Sequence, residues 1–231
     1  MIDPRSFTAV SFDCYGTLVD WETGILDALT PMLERRGRPV TAAELLGLYA
    51  RLESEVEAGP YLPYREVLRR VVTGFGRALD FVPTPEEVEA LPESLASWPV
   101  FPDTVAALRR LAGRYRLAIL SNVDDDLFAA TAASLEVPFD AVVTAGLVGS
   151  YKPDERNFHA LLSRLALPRE RVLHAAQSLF HDHVPAQRLG FTTAWVNRPS
   201  RAPGGGATPP AHVRPDVTVP SLAALADLLG V

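Results

Sequence analysis

The sequence predicts an α/β fold in which a doubly wound parallel sheet carries an inserted block of helices. After residue 102, short apolar runs alternate with amphipathic helical segments, which is the pattern of a parallel sheet covered by helices. One more strand-like run lies near the N-terminus, and the segment that separates it from the others has a helical pattern throughout. We therefore expect a core made of residues 1–20 and 99–231 and a helical cap made of residues 21–98.

Each element has its own signal in the sequence. In the cap, Thr41 with Glu44 and Thr84 with Glu87 have the spacing of capping boxes at helix starts. The expected strands cover residues 7–12, 117–120, 141–144, 172–176 and 193–196, with a short one near Val217. The helices of the core are expected to end near Arg114, Leu135, Ala166 and Leu189, and a last helix begins near Ser221. Residues 198–215, rich in Pro and Gly, are predicted to form a surface loop.

Composition excludes several classes of protein. The chain has 231 residues, of which 48% are apolar, enough for one large core. The net charge of −6 argues against a nucleic acid or an anionic membrane as partner. A single cysteine, Cys14, excludes an internal disulfide and fits a reducing compartment. With no apolar run of membrane-spanning length and no signal-peptide pattern, we expect a cytoplasmic protein.

The most informative residue is Asp13, which follows the first predicted strand. A carboxylate at the carboxyl end of a parallel strand lies in the crevice where such sheets bind ligands. It could act as a nucleophile, a metal ligand or a helix cap, and the cap is disfavoured because no amphipathic run begins at once. Gly16 allows a sharp turn behind it, and Thr17 offers a hydroxyl group to the same site.

The second informative residue is Lys152, because all the other members of the chain's 22 basic residues are arginine. Lysine is a compact point charge on a flexible stem, whereas arginine is a wide planar fork. A single lysine in such a composition indicates a narrow site that needs a point charge. The alternative is that this lysine lies on the protein surface by chance. Lys152 also precedes Pro153 and Asp154 in a turn before a predicted helix.

Polar residues also follow the second strand of the core. Ser121 and Asn122 stand at its end, where such residues can bind an anion or cap the next helix. We expect Ser121 to contact a ligand, and for Asn122 both roles remain open. The acidic run Asp124–Asp126 is expected to be a solvated first helical turn, favourable at a helix N-terminus.

Together these segments resemble the haloacid dehalogenase (HAD) superfamily of hydrolases. The run from Phe12 to Asp20 resembles its first motif, Ser121-Asn122 its second, and Lys152 with the following Pro and Asp its third. The resemblance implies a Rossmann-like core with a cap. It also implies that Asp13 attacks the substrate and becomes covalently attached, and that the Ser121 hydroxyl holds the anionic group of the substrate.

Within the superfamily, the chain departs from the metal-dependent phosphatases. Gln177 stands where they carry a Mg²⁺-binding aspartate, so Asp182 is the remaining acid of that segment. Mg²⁺ favours carboxylate oxygens, and we expect no metal and no other cofactor. Tyr15 stands where the phosphatases place their general acid, which a departing halide does not need. The motifs are similar to those of the L-2-haloacid dehalogenases, with Tyr15 in the wall of a small pocket.

The match to those dehalogenases is incomplete. Phe158 replaces a tyrosine, Leu179 an asparagine near the substrate, and Gln177 a serine. Their cap arginine, which helps to bind the substrate and to receive the halide, has two candidate counterparts, Arg51 and Arg65. For each of the two, a solvated helix charge paired with a nearby glutamate is an equally good interpretation.

The sequence thus predicts a metal-independent hydrolase that cleaves the carbon–halogen bond of small 2-haloacids. Asp13 would displace the halide to form an ester, and water would cleave that ester with Asp182 and Lys152 arranging the water and the charges. Thr17 belongs to the same catalytic group. The charge of Lys152 is expected to lower the pKa of Asp13 and keep it ionised.

Two alternatives to this function stay open. One is a phosphatase acting on small phosphate esters, and the other is a catalytically silent module that binds small acids. The expected partner is a small organic acid rather than a nucleic acid or a membrane. The oligomeric state stays open, with a homodimer as one option.

Overall fold

A computed structural model describes residues 2–200 and 207–231, so residues 201–206 of the predicted Pro/Gly-rich loop lie outside the described residues. Six parallel strands form one sheet in the order β3-β2-β1-β4-β5-β6. The strands are β1 (Ala9–Phe12), β2 (Arg116–Ser121), β3 (Ala141–Thr144), β4 (Val172–Ala176), β5 (Thr192–Val196) and β6 (Val217–Val219). The predicted fold class, a doubly wound parallel sheet, is confirmed.

Ten α-helices are present in the described part of the chain. Four of them lie between β1 and β2 and are here called the helical insertion: α1 (Trp21–Arg35), α2 (Ala42–Glu57), α3 (Tyr64–Ala78) and α4 (Pro85–Ser94). The others are α5 (Thr104–Ala112), α6 (Asp125–Leu135), α7 (Ala145–Val148), α8 (Glu155–Leu165), α9 (Val184–Arg188) and α10 (Leu222–Leu228). A single turn of π-helix, Leu179–His183, precedes α9. None of the described helices is both long and apolar enough to cross a membrane.

Both predicted capping boxes are present in the helical insertion. The Thr41 side chain accepts a hydrogen bond from the Glu44 amide, and Glu44 accepts one from the Thr41 amide. Thr84 and Glu87 do the same at the start of α4. Such reciprocal bonds satisfy two amides that a helix start leaves without intrahelical partners.

The centre of the sheet positions the candidate site. Strand β1 lies between β2 and β4, where the direction of winding reverses, and all four of its residues are buried. Val10 and Phe12 pack into the core shared with the helical insertion, whereas Ala9 packs into the core beneath α8. Asp13 therefore leaves the sheet at the switch point between its two halves, where open α/β sheets bind ligands.

The two chain crossings between the sheet and the helical insertion run side by side. Val19 and Val100 form an antiparallel bridge, and the Asp20 amide donates a hydrogen bond to the Pro99 carbonyl at 2.7 Å. Just beyond, Trp98 packs closely against Gly24 of α1, where an added Cβ would lie 2.3 Å from the indole ring. This contact requires a residue without a side chain in α1.

Candidate active site

The loop after β1 presents Asp13 in a fixed position. Gly16 has a φ of +96°, a conformation that L side chains rarely adopt, which explains the glycine in this turn. The Thr17 hydroxyl donates a 2.7 Å hydrogen bond to Asp13 Oδ2. Thr17 is itself oriented by the backbone amide of Gln177, which donates a hydrogen bond to Thr17 Oγ1 at 2.9 Å. Through Thr17, the turn after β4 therefore helps to fix the position of Asp13.

Lys152 lies beside Asp13 as predicted, and its side chain is only 2% exposed. Its Nζ donates to Asp13 Oδ1 at 2.9 Å, to Asp182 Oδ1 at 2.7 Å and to the Leu120 carbonyl at 2.8 Å. An ammonium group has three protons to donate, and each has an acceptor here. A planar guanidinium would be too wide for the same three acceptors.

Asp182 is fully buried on the other side of Lys152. Its Oδ1 also lies 2.9 Å from His174 Nε2, and the other ring nitrogen of His174 lies 2.9 Å from the Ser11 hydroxyl. Its Oδ2 is buried and accepts no hydrogen bond from the described residues. The sequence interpretation did not give His174 any role, yet it orients Asp182 from strand β4.

The charges of the three central groups depend on one another. Burial raises the pKa of Asp13, and Asp182 adds to this, although Lys152 and Thr17 act in the opposite direction. The expected lowering by Lys152 is thus outweighed, because Asp13 is almost completely desolvated. Burial also opposes ionisation of Asp182, but Lys152 and His174 hold the pKa of Asp182 below its usual value. The two carboxylates in turn raise the pKa of Lys152 despite its burial.

Ser121 and Asn122 differ in what they can offer a ligand. Ser121 is 3% exposed, lines the pocket, and its Oγ has no hydrogen-bond partner among the described residues. A buried hydroxyl without a partner is costly, so this group is available to a ligand. Asn122 also lines the pocket, but its side-chain amide bonds the backbone of Lys152 through both of its ends, at 2.7 and 3.0 Å. Its side chain therefore positions Lys152 rather than capping a helix.

Tyr15 forms part of the pocket wall, as expected. Its hydroxyl lies 2.7 Å from the Thr131 hydroxyl, and its ring packs edge-on against Trp98 with centroids 5.7 Å apart. Burial raises the pKa of Tyr15 well above its usual value, so its hydroxyl stays protonated. The side chain is suited to fixing the shape of the pocket.

The pocket is small and combines the core with the helical insertion. Its cavity volume is about 40 Å³, which is space for roughly three waters. Core residues that line it are Asp13, Tyr15, Ser121, Asn122, Val123, Lys152, Ser178, His181, Asp182 and Thr208, and the insertion adds Trp21, Glu53, Glu57 and Tyr64. Among the described residues of this lining, Lys152 is the one Lys or Arg.

Neither candidate arginine lines the pocket. Arg51 is largely exposed and pairs loosely with Glu55 at 3.8 Å. It lies two residues from Glu53 on α2, and residues two apart on a helix do not share a face. Arg65 instead donates to Asp126 at 2.7 and 3.1 Å, at the start of α6. The structure therefore places both residues in ion pairs outside the pocket.

The acidic run Asp124–Asp126 at the start of α6 is more than a solvated turn. The Asp124 carboxylate accepts hydrogen bonds from the amides of Tyr64 and Arg65 at 2.9 and 3.0 Å. These are the first amides of α3, and Pro63 before them provides no side-chain cap. Asp124 thus caps a helix of the insertion from the core, immediately beyond Ser121 and Asn122.

Several pocket residues escaped the sequence interpretation. Glu53, Glu57 and Tyr64 come from the insertion, and Glu53 had a detectable signal because it lies on the apolar stripe of α2. Thr208 comes from the segment predicted to be a surface loop. That prediction is wrong in part, because Ala207 is buried and Thr208 lines the pocket.

The donor set around Asp13 does not fit Mg²⁺. The ammonium of Lys152 already bridges the facing oxygens of Asp13 and Asp182. Gln177 supplies no carboxylate, and Mg²⁺ favours anionic oxygen ligands in octahedral geometry. Within residues 2–200 and 207–231, no three His, Cys, Asp or Glu side chains are grouped so as to hold a metal ion.

Comparison with known proteins assigns the family. The sequence model of haloacid dehalogenase-like hydrolases matches residues 7–175. The chain belongs to this family. It is 28% identical to (S)-2-haloacid dehalogenase H-109 of Pseudomonas putida, over 89% of this chain and 92% of that protein. It is 27% identical to an (S)-2-haloacid dehalogenase of Pseudomonas sp. (strain YL), over 95% of this chain and 93% of that one.

Solved structures in this family share the fold. A crystal structure of an L-2-haloacid dehalogenase superposes with a TM-score of 0.81 at 26% identity, covering 96% of this chain and 98% of that chain. The L-2-haloacid dehalogenase of Xanthobacter autotrophicus, in a structure with chloropropionic acid covalently bound, also gives 0.81 at 23% identity. It covers 96% of this chain and 98% of that chain. The chain is a HAD-family hydrolase with (S)-2-haloacid dehalogenase relatives along most of its length.

Proposed function

We propose that this hydrolase cleaves the carbon–halogen bond of small 2-haloacids through an Asp13 ester, without a metal ion. The observation that carries the proposal is the buried triad of Asp13, Lys152 and Asp182, which opens onto a small pocket beside the unpartnered hydroxyl of Ser121. Both Pseudomonas relatives named above are (S)-2-haloacid dehalogenases that match over most of their length, which supports the same reaction class.

Substrate binding is proposed to begin at Ser121. Its Oγ can donate a hydrogen bond to the substrate carboxylate, which satisfies a buried group that otherwise has no partner. With the carboxylate held there, C2 of the substrate can lie within reach of Asp13. Residues 21–98 act in this proposal as a cap, since Glu53 and Tyr64 close the pocket from the insertion side.

In the first step, one oxygen of Asp13 forms a bond to C2, and the halide leaves with the electron pair of the carbon–halogen bond. Thr17 and Lys152 hold the two oxygens of Asp13, so the nucleophile needs little reorganisation. Halide departure needs no general acid, in agreement with a Tyr15 hydroxyl that is engaged with Thr131.

In the second step, water attacks the carbonyl carbon of the ester. The bond between that carbon and the ester oxygen breaks, and one proton of the water passes to the departing oxygen, so the product leaves as a 2-hydroxy acid. Asp13 keeps the oxygen of the water as a carboxylate, and the second proton is released to solvent. Asp182 Oδ2, which has no other partner in the described chain, can accept a hydrogen bond from this water. Lys152 balances the charge that develops between the two carboxylates.

A single turnover in ¹⁸O-labelled water, with enzyme in excess over 2-chloropropionate, tests the covalent step. Digestion and mass spectrometry should find the label on the peptide that contains Asp13. Asp13→Asn, which lacks the nucleophile, is the matched control and should show no label. Label in the product alone would mean that water attacks C2 directly and that Asp13 is a general base.

A substrate screen separates the proposal from its alternatives. Halide release is measured with chloro-, bromo- and fluoroacetate and with 2-chloropropionate, and phosphate release from a panel of small phosphate esters is measured in parallel. We expect halide release and no phosphate release above that of Asp13→Asn. The opposite pattern would support a phosphatase, and binding of small acids without either activity would support a silent module.

A further inference from the structure

The insertion side of the pocket carries two acidic residues that the proposed reaction does not use. Glu53 is 4% exposed, and its Oε1 accepts hydrogen bonds from the hydroxyls of Tyr49 and Tyr64 at 2.8 and 2.6 Å. Its Oε2 receives no hydrogen bond from the described residues. Glu57 lies one helical turn further along α2 and lines the same pocket. Two tyrosine donors on one oxygen fix the Glu53 carboxyl group in place.

The charges in the pocket are unbalanced for a purely anionic ligand. Among the described residues, the lining side chains include four carboxyl groups and one cation: Asp13, Asp182, Glu53, Glu57 and Lys152. Lys152 is already shared between Asp13 and Asp182, so it does not compensate either glutamate directly. Once Glu53 is ionised, a halide or a second carboxylate placed against the insertion side would therefore meet negative charge and, among the described residues, no cationic donor.

Aromatic side chains also line the pocket. Trp21 and Tyr64 come from the insertion, like the two glutamates, and Tyr15 comes from the core. Aromatic rings beside carboxylates attract ammonium groups, through the ring quadrupole and through charge-assisted hydrogen bonds. At the core side, the buried Ser121 hydroxyl without a partner points independently to a hydrogen-bonding ligand. The pocket thus offers a donor at one side and acceptors at the other.

We propose that the pocket selects zwitterionic substrates, whose carboxylate binds at Ser121 and whose ammonium group binds at Glu53 and Glu57. This inference rests on the proposed function in that the substrate is a small acid attacked by Asp13. It specifies the substrate class as amino-substituted 2-haloacids, and it makes Glu53 the residue that determines this specificity.

Protonation of Glu53 makes the binding of an ammonium group depend on pH. Burial raises the pKa of Glu53 to about 7, although the two tyrosines oppose the shift, and burial raises the pKa of Glu57 as well. An ammonium ligand binds the ionised form, so its affinity rises as the pH increases through about 7. Other titratable groups that line the pocket or contact Glu53 are Asp13, Tyr15, Tyr49, Glu57, Tyr64, Lys152, His181 and Asp182.

The test uses inert ligands of nearly equal size, so that it does not depend on turnover. Calorimetry compares the binding of 3-aminopropionate with that of propionate, which shares the carboxylate and lacks the ammonium group. We expect 3-aminopropionate to bind at least about tenfold more tightly, as for one hydrogen bond between charged partners. Its affinity should rise between about pH 6 and pH 8, whereas that of propionate should not.

Glu53→Gln distinguishes a specificity role from a structural one. This variant removes the charge and keeps the shape, so 3-aminopropionate should lose most of its advantage while propionate binds equally well or better. Glu55→Gln is the matched control, because Glu55 lies on the same helix, is exposed and pairs with Arg51. Equal affinity of the wild type for the two acids, or weaker binding of both by Glu53→Gln, would overturn the inference.

Turnover separates this inference from the proposed function. Halide release from 3-amino-2-chloropropionate should exceed that from 2-chloropropionate by about tenfold or more in kcat/KM. If neither compound releases halide while the ammonium preference in binding remains, the proposed reaction fails and the ligand class stands. If 2-chloropropionate is the better substrate and propionate the better ligand, the reaction stands and the ligand class fails.

Discussion

Replacing Lys152 with methionine should destabilise the protein, and the loss should depend on pH. The substitution keeps most of the side-chain volume but removes three hydrogen bonds and the charge that compensates Asp13 and Asp182. Breaking a buried ion pair by removing one partner costs about 3–5 kcal/mol. For a chain of this length, each kcal/mol lowers Tm by about 2–4 °C, so we expect a decrease of about 6–20 °C at neutral pH.

The direction of the pH dependence follows from Asp182. In the wild type its folded-state pKa is lowered, so it contributes stability at neutral pH that is lost only when the pH falls below the ordinary range of aspartate. In Lys152→Met, burial is no longer opposed by the ammonium, and Asp182 must take up a proton on folding. The deficit of the variant should therefore shrink as the pH is lowered from neutrality.

Chemical denaturation of both proteins at two pH values measures this effect. Lys152→Met combined with Asp182→Asn is the informative control, because it removes one of the two uncompensated charges and should recover part of the lost stability. An unfolding free energy within about 1 kcal/mol of the wild type at neutral pH would refute the reasoning. A deficit that grows on acidification would refute it as well.

Three further predictions concern activity and the contact between core and insertion. Lys152→Arg should lose about two or more orders of magnitude in kcat, because the fork cannot reproduce the three contacts of an ammonium; near-normal turnover would contradict this. Activity should survive EDTA and should not rise with added Mg²⁺, because Gln177 replaces a metal-binding carboxylate; full dependence on Mg²⁺ would restore the phosphatase alternative. Asp124→Ala should cost about 0.5–2 kcal/mol in urea denaturation by uncapping the amides of Tyr64 and Arg65, and an unchanged stability would show that water replaces the cap.

Local signals made the sheet predictable. Strands at 141–144 and 172–176 are the apolar runs that the sequence shows, and both capping boxes formed because their bonds lie within one helical turn. Asp13 and Lys152 meet although 139 positions separate them, since parallel strands bring their carboxyl ends to one edge. The first strand was overestimated by two residues, because Phe7 and the β-branched Thr8 suit a strand by residue type but lie outside β1.

Side-chain directions on the inserted helices were harder to infer. Arg51 was a candidate because it lies nearest to the position of the cap arginine in the resemblance, yet Tyr49 and Glu53, four residues apart, belong to the buried face of α2. The sequence signal that could have identified Glu53 as a pocket residue is its position on the apolar stripe of α2. Thr208 had none, because a Pro/Gly-rich segment has no periodicity from which burial could be deduced.

The bridge between Val19 and Val100 has a consequence for how this protein could diversify. Because the chain leaves the sheet and returns to it at neighbouring points, the stretch between Asp20 and Pro99 can be exchanged without altering any strand pairing. Glu53 and Glu57 lie within that stretch, whereas Asp13 and Lys152 lie outside it. Recombination at these two neighbouring positions would replace the residues that select the substrate and leave the nucleophile Asp13 in place. Substrate specificity can therefore change while the catalytic residues of the core stay the same.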